Sequence, residues 1–282
     1  MIWNCDPEFF NLFGVFSVRY YGLLFVTGFA LGFLWVWHQH RKEGLSTDHL
    51  ESLLIHIIVG TLVGARLGHC LFYEPEYFLA HPLEMILPIS IGTDGIEFIG
   101  FQGLASHGGA IGVLAGLLVF TWKTKRALLP ILDKLAVAIP LTGAFIRLGN
   151  FMNSEILGKA YDGPFSVVFA RVNLIARHPA QLYEAVVYLL LFFILWWVYS
   201  RVARKQNQAK GRTGFVFGLF LALLFSSRFF LEFFKIDQVG FEAGMSLNMG
   251  QWLSLPFVLI GVGFMIYSYY SRTPQLSDPT DD

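Results

Sequence analysis

Long apolar runs recur along the chain, separated by short polar connections. A helix needs about 20 mainly apolar residues to cross the hydrocarbon core of a bilayer. Seven runs approach or exceed that length, and they cover residues 15–38, 52–73, 106–122, 130–150, 181–199, 214–234 and 250–270. The pattern therefore predicts an all-α, polytopic integral membrane protein with about seven transmembrane helices.

The composition supports this assignment and excludes other classes. Of the 282 residues, 55% are hydrophobic and 14% are charged, whereas soluble domains average about 25% charged residues. The formal net charge is zero, so we expect no nucleic-acid partner, which would require a basic surface. Cys5 and Cys70 are far apart and form no CxxC pair. Neither a disulfide framework nor a metal site is expected, and no organic cofactor is indicated.

The basic residues predict an orientation, because lysine and arginine favour cytoplasmic loops. They follow the first, third, fifth and seventh runs: Arg41, Lys42, Lys123, Lys125, Arg126, Arg201, Arg204, Lys205, Lys210, Arg212 and Arg272. We therefore expect one transmembrane domain over 1–270, with its amino terminus outside and its carboxy terminus in the cytoplasm. Loops at about 74–105 and 151–180 would lie outside, although the second is basic. Residues 271–282 are predicted to be a disordered cytoplasmic tail.

Glycines repeat every four residues in the second and third runs: Gly60, Gly64, Gly68, Gly108, Gly112 and Gly116. Small residues at this spacing let helix backbones approach closely in lipid, so both runs carry a signal for close helix packing. Gly108 and Gly109 also follow His107 at the mouth of a helix. Without side chains there, a ligand could also reach backbone amides.

The polar groups that are most costly to bury in a bilayer lie where the fourth run ends. The sequence there is Arg147-Leu148-Gly149-Asn150-Phe151-Met152-Asn153-Ser154-Glu155-Ile156-Leu157-Gly158. Charged and amide groups are costly to bury at membrane depth, so their presence there indicates a function. The alternative is a polar helix end whose side chains extend to the membrane interface. The predicted topology places further polar residues toward the same outer leaflet: Tyr21, Arg66, His107, Gln181, Tyr183, Glu184, Arg228 and Glu232. We interpret this convergence as a site.

Charge indicates what such a site would hold. Arg66, Arg147 and Arg228 are three cations at membrane depth, which Glu155, Glu184 and Glu232 can balance. Guanidinium groups bind phosphate through bidentate hydrogen bonds and keep their charge when partly buried. A phospholipid head group is the simplest phosphate at an outer leaflet. A local alternative is that Arg228, Glu232 and Lys235 form only an intrahelical ion pair. His107 can be a base near neutral pH or a structural hydrogen-bonding group.

Together these residues resemble the bacterial phosphatidylglycerol–prolipoprotein diacylglyceryl transferase family. The run Arg147-x-Gly-Asn-Phe-x-Asn-x-Glu155-x-x-Gly158 resembles its signature. Other blocks match in the same order: Tyr20-Tyr21-Gly22-Leu23, Ser106-His107-Gly108-Gly109, His178-Pro179-x-Gln181-Leu182-Tyr183-Glu184, Arg228-Phe229-x-x-Glu232-Phe233-Phe234 and Met249-Gly250-Gln251-Trp252-Leu253-Ser254. One departure is Ala180, where the family pattern leads us to expect serine. A capping or head-group role at that position is therefore in doubt.

The resemblance implies an enzyme without a cofactor in the bacterial cytoplasmic (inner) membrane, with its active site toward the outer leaflet. It would move the sn-1,2-diacylglyceryl group of phosphatidylglycerol to the lipobox cysteine thiol of a prolipoprotein signal peptide, forming a thioether and releasing glycerol phosphate. Catalytic roles are implied for His107, Arg147, Arg228 and Tyr21. Lipid binding is implied for Arg66, Arg147, Asn150, Glu155, Gly158, Arg228 and Glu232. Gly108, Gly109, Gln181, Tyr183 and Glu184 would support them.

Two other functions compete. A transporter or channel for an anionic solute would need polar residues along a path, yet the cytoplasmic halves of the runs are almost wholly apolar. Asp133 and Lys134 are the main exception, and we interpret them as a pair at the interface. Another phospholipid head-group transferase would share the arginines without needing a thiol acceptor.

Overall fold

The computed structural model describes residues 1–12, 16–87, 89–92, 95–98, 103–206, 213–236 and 245–271. In this part of the chain each predicted apolar run contains an α-helix, although residues 16–19, at the start of the first run, form a strand instead. The helices are α1 (Tyr20–Lys42), α2 (Thr47–Phe72), the short α3 (Pro75–Ala80) and α4 (Pro82–Ile86), α5 (Ser106–Thr124), α6 (Leu128–Met152), α7 (Ala180–Gln206), α8 (Phe215–Leu231) and α9 (Met249–Tyr270). A 3-10 turn at Glu232–Phe234 continues α8.

Within the described residues, six helices are long and apolar enough to cross a membrane: α1, α2, α6, α7, α8 with its 3-10 turn, and α9. The protein is therefore mostly helical and has the composition of a multi-pass membrane protein. Helix α5 has 19 residues and lies outside this set of six. The predicted count of about seven spans and the predicted orientation stay predictions.

Short strands in the connections show that the all-α prediction was incomplete. The strands are β1 (Ile2–Trp3), β2 (Glu8–Leu12), β3 (Phe16–Arg19), β4 (Ile89–Gly92), β5 (Gly95–Phe98), β6 (Val167–Phe169) and β7 (Ala176–Arg177). Strands β2–β3 and β4–β5 are antiparallel pairs, and β1 pairs in parallel with β6, which pairs with β7. Strands this short carry too little alternation for a periodicity argument, and the β1–β6 pairing joins distant parts of the chain.

The chain divides into two compact units. One combines Met1–Gln39 with Leu129–Asp282, and the other is His40–Leu128. The first therefore holds β1–β3, most of α1, α6–α9, β6 and β7, while the second holds α2–α5, β4 and β5. The single transmembrane domain expected over 1–270 stays a prediction. The predicted tail lies outside the described residues from position 272 onward.

Two apolar clusters organise the first unit around the end of α6. Ala144 of α6 packs with Tyr188 and Leu191 of α7, and residues of α8 cover this cluster. Beyond it, Phe151 packs with Val167 and Phe169 of β6. The three-stranded sheet is thereby fastened to the last turn of α6, directly beside Asn150.

Asp133 joins α6 to the start of α8. Its carboxylate accepts hydrogen bonds from the backbone N–H groups of Gly214, at 2.7 Å, and Phe217, at 2.8 Å. The first amides of a helix have no partner within the helix, and a negative charge there is favoured by the helix dipole. Asp133 is buried, so the interpretation as an interface pair missed its main contact, which is the cap of α8.

In the second unit the two glycine-rich helices pack against each other, which shows what the glycine repeats contact. A Cβ atom added at Gly64 would lie 2.6 Å from Cα of Gly112, and one at Gly68 would lie 2.7 Å from Cα of Gly108. Real Cβ atoms do not approach backbone this closely. Helices α2 and α5 therefore touch along a seam that only glycine permits.

Candidate functional site

Arg147 lies at the centre of a polar network in the first unit. Helix α6 places Asn150 one turn away, and Nη1 of Arg147 donates to its Oδ1 at 3.2 Å. Nε of Arg147 lies 3.0 Å from Oε2 of Glu184, near the start of α7. The Arg147 side chain is 14% exposed and that of Glu184 is fully buried. Nη2 of Arg147 makes no hydrogen bond within the part of the chain that the structure describes. The guanidinium is thus held on two of its edges.

Three amide side chains fix the turn around Glu155. Nδ2 of Asn150 donates to Oε2 of Glu155 at 3.1 Å, and Nδ2 of Asn153 donates to Oε1 at 3.0 Å. Nε2 of Gln181 donates to the Glu155 backbone carbonyl. The neighbours Ser154 and Ile156 both have φ of +55°, which is unfavourable for residues other than glycine, above all for the β-branched Ile156. Strained backbone persists where surrounding contacts impose it, often at functional sites.

A buried lysine stands on the other side of Glu184. Nζ of Lys235 lies 2.8 Å from Oε1 of Glu184 and 3.2 Å from Oε2 of Glu232. The expected intrahelical pair of Glu232 and Lys235 is therefore present, but Glu184 of α7 is an additional partner. Lys235 is not among the site residues that the sequence predicts. Its position at the apolar end of the sixth run was the signal that could have found it.

Arg228 of α8 completes the set of charged groups. Its guanidinium interacts with Tyr188, Glu184 and Glu232. Glu232 is buried, and a Cβ atom added at Gly250 would lie 2.9 Å from its Cδ. The structure thus gathers three cations, Arg147, Arg228 and Lys235, around three carboxylates, Glu155, Glu184 and Glu232. Tyr188 gave no signal in the sequence, since it is one aromatic residue in an apolar helix.

The remaining predicted residues of this unit border the same network. The ring of Tyr21 lies against Gly149, between Arg147 and Asn150 in the sequence. Gly158 forms a β-bridge with Lys235, and a Cβ atom there would clash with the His178 carbonyl. The Tyr183 hydroxyl lies 3.2 Å from Nδ1 of His178. Ala180, where serine was expected, begins α7.

The other four predicted residues belong to the second unit. Arg66 is buried, and its Nη2 and Nε donate to the carbonyls of Glu84 and Met85. Its guanidinium also lies 4.8 Å from the ring centroid of Phe78. These contacts fasten α2 to α3 and α4, which favours a structural role for Arg66. His107 is exposed in the first turn of α5. Gly108 packs on α2, and Gly109 follows it. The participation of all four in the Arg147 site stays a prediction.

Comparison with known proteins identifies the family of this chain. A family model described as prolipoprotein diacylglyceryl transferase matches residues 7–267. A Bacteroides fragilis protein named phosphatidylglycerol–prolipoprotein diacylglyceryl transferase is 48% identical over 266 residues, which are 94% of this chain and 94% of the relative. The similarly named protein of Tolumonas auensis is 48% identical over 95% of this chain and 97% of its own. That of Chloroherpeton thalassium is 40% identical over 93% and 92%. These matches show that the chain belongs to the prolipoprotein diacylglyceryl transferase family.

Proposed function

We propose that this protein transfers the diacylglyceryl group of phosphatidylglycerol to the thiol of the lipobox cysteine in a prolipoprotein, the first step of lipoprotein maturation. The observation that carries the proposal is the state of Arg147. Its guanidinium is positioned by Glu184 and Asn150 and retains an amino group, Nη2, that makes no hydrogen bond in the described chain. A fixed, partly buried guanidinium suits a phosphate.

The reaction exchanges one bond to carbon for another. The cysteine sulfur attacks the glycerol carbon that carries the phosphate oxygen, and the carbon–oxygen bond breaks. A thioether forms, and glycerol phosphate leaves with the bonding electron pair. The proton that the thiol loses ends on the released phosphate. A free thiol has a pKa of about 8.5, so the nucleophile must first be deprotonated.

Arg147 and Arg228 are proposed to hold the phosphate and to stabilise the charge that develops on the leaving group. Fixed cations act strongly there because they need no reorganisation during the reaction. Asn150 and Glu155 would position the head group or Arg147, and Gly158 would permit close backbone approach. Glu232 would hold Arg228 and Lys235. Tyr21 would line the path by which the lipid enters.

His107 is proposed to act on the thiol, as a base or as a hydrogen-bonding group. Gly108 and Gly109 would let a ligand approach the start of α5, and Arg66 would contribute positive charge at the outer leaflet. Gln181, Tyr183 and Glu184 would support the site through the contacts described above.

We also propose the membrane setting. Seven helices would cross the bacterial cytoplasmic membrane, with the amino terminus outside and the carboxy terminus in the cytoplasm, since basic residues favour cytoplasmic loops. The site would then open to the outer leaflet, where phosphatidylglycerol and the cysteine of the signal peptide can meet.

The test uses purified protein in micelles that contain phosphatidylglycerol, with a synthetic peptide bearing one cysteine in a lipoprotein signal sequence. Mass spectrometry should show a gain of one diacylglyceryl group, and none when phosphatidylglycerol is omitted. Arg147→Ala should abolish the gain. Arg171→Ala is the matched control, because Arg171 is 45% exposed and pairs only loosely with Asp6, at 3.7 Å. An unmodified peptide with lipid still bound would indicate another head-group transferase.

A further inference from the structure

Lys235 is a fixed charge that the proposed transfer does not use. Its neighbours along the backbone are hydrogen-bonded to the segment that contains Gly158. The N–H of Lys159 donates to the Phe234 carbonyl at 2.8 Å, and that of Ile236 donates to the Leu157 carbonyl at 3.2 Å. The Lys235 side chain is only 5% exposed. A buried ammonium group needs partners, and Lys235 has Glu184 and Glu232.

Lys235 determines which oxygen of Glu184 can contact Arg147. An arginine and a carboxylate prefer a bidentate ion pair, in which two N–H groups bind the two oxygens. Here the two oxygens of Glu184 have different partners. Oε1 lies 2.8 Å from Nζ of Lys235, and Oε2 lies 3.0 Å from Nε of Arg147. While Lys235 holds Oε1, that oxygen is not available to Arg147.

A similar arrangement is found at Glu155, the second carboxylate of the Arg147 network. The Asn150 amide lies between Arg147 and Glu155, accepting from the first and donating to the second. Nδ2 of Asn153 occupies the remaining oxygen of Glu155. Each carboxylate beside Arg147 is therefore engaged by another group, and Nη2 of Arg147 is left without a hydrogen bond in the described chain.

We propose that Lys235 is a positioning residue that keeps Arg147 available for the lipid phosphate. By holding Oε1 of Glu184, it prevents a bidentate ion pair between Glu184 and Arg147. Such a pair would compete with the phosphate for Arg147. This inference rests on the proposed function. It assigns Lys235 an effect on lipid affinity exerted only through Glu184.

The test measures KM for phosphatidylglycerol and kcat separately. Lys235→Met should raise KM about tenfold or more, because Glu184 could then pair more strongly with Arg147 and compete with the phosphate, with a smaller change in kcat. Lys235→Arg should restore most of the affinity. Adding Glu184→Gln to Lys235→Met should also lower KM again, because a neutral amide competes weakly for Arg147. Lys42→Met, at the exposed end of α1, is the control for loss of a lysine.

A purely structural role predicts the opposite for the double variant. Removing both buried partners would then add to the damage, and KM would rise further. If Lys235→Met does not fold, Glu184→Gln is compared with the double variant. Their KM values should agree within about threefold, and a larger difference would show that Lys235 acts through Glu232 instead. An inactive wild-type protein would refute the transfer itself, whereas an active wild type with unchanged KM in Lys235→Met refutes only this inference.

Discussion

Tyr21 packs its ring directly on the backbone of Gly149. A Cβ atom added to Gly149 would lie 2.8 Å from Cδ2 of Tyr21 and 3.4 Å from its Cα. Gly149 precedes Asn150 on α6, so this contact links the first turn of α1 to the Arg147 network. The position of Tyr21 therefore depends on the absence of a side chain at position 149.

Gly149→Ala should displace Tyr21 and lower turnover about tenfold. Inserting a methyl group into a filled space costs about 1–3 kcal/mol, and the ring must move for it to fit. The lipidated peptide is quantified by mass spectrometry at equal amounts of folded protein. Gly22→Ala, in the same turn of α1, is the control because its Cβ atom would meet nothing within 4 Å. Normal turnover in Gly149→Ala would mean that the place of Tyr21 does not matter.

Arg147→Lys should lose at least about 100-fold in kcat/KM, the loss typical of removing one transition-state donor. Lysine keeps the charge but presents one ammonium group, which cannot contact Glu184, Asn150 and a phosphate in the present geometry. Steady-state kinetics with the cysteine peptide would measure the loss. Near-normal turnover would rule out the guanidinium clamp and leave a simple requirement for positive charge.

Asp133→Asn should destabilise the protein by about 1–3 kcal/mol, because one amide of α8 loses its acceptor in a buried place. Thermal unfolding in detergent would show the lower midpoint, while activity per folded molecule should stay unchanged. Asp162→Asn, at an exposed aspartate, should leave the midpoint where it is. A stable but inactive Asp133→Asn protein would instead connect Asp133 with the reaction.

A variant without cysteines should remain active. Cys5 donates to the backbone carbonyl of Asp6 and Cys70 is fully buried, so we expect the reacting thiol to come from the peptide. The combined change Cys5→Ser and Cys70→Ala is assayed with cysteine and serine versions of the peptide. Only the cysteine peptide should gain mass. Loss of activity in the folded variant would place a required thiol in the enzyme.

Hydrophobic length was enough to predict the seven long helices, and glycine spacing was enough to predict that the second and third apolar runs pack closely, although not that they pack on each other. Both are local properties of the sequence, because an apolar run of sufficient length forms a helix in lipid, and small residues four apart lie on one face. The motif around Arg147 could likewise be located, since charged groups in an apolar run stand out.

Partners distant in the sequence could not be predicted in this way. The pairing of β1 with β6 joins residues 2 and 168, the cap on α8 comes from Asp133, and Arg66 uses its donors on the carbonyls of Glu84 and Met85. The sequence by itself determined the helices, the family and the residue types of the site. Only the tertiary structure decided that Glu184 lies between Arg147 and Lys235. That contact depends on how α6, α7 and the end of α8 pack, and packing sets which charges meet in a medium without water to screen them.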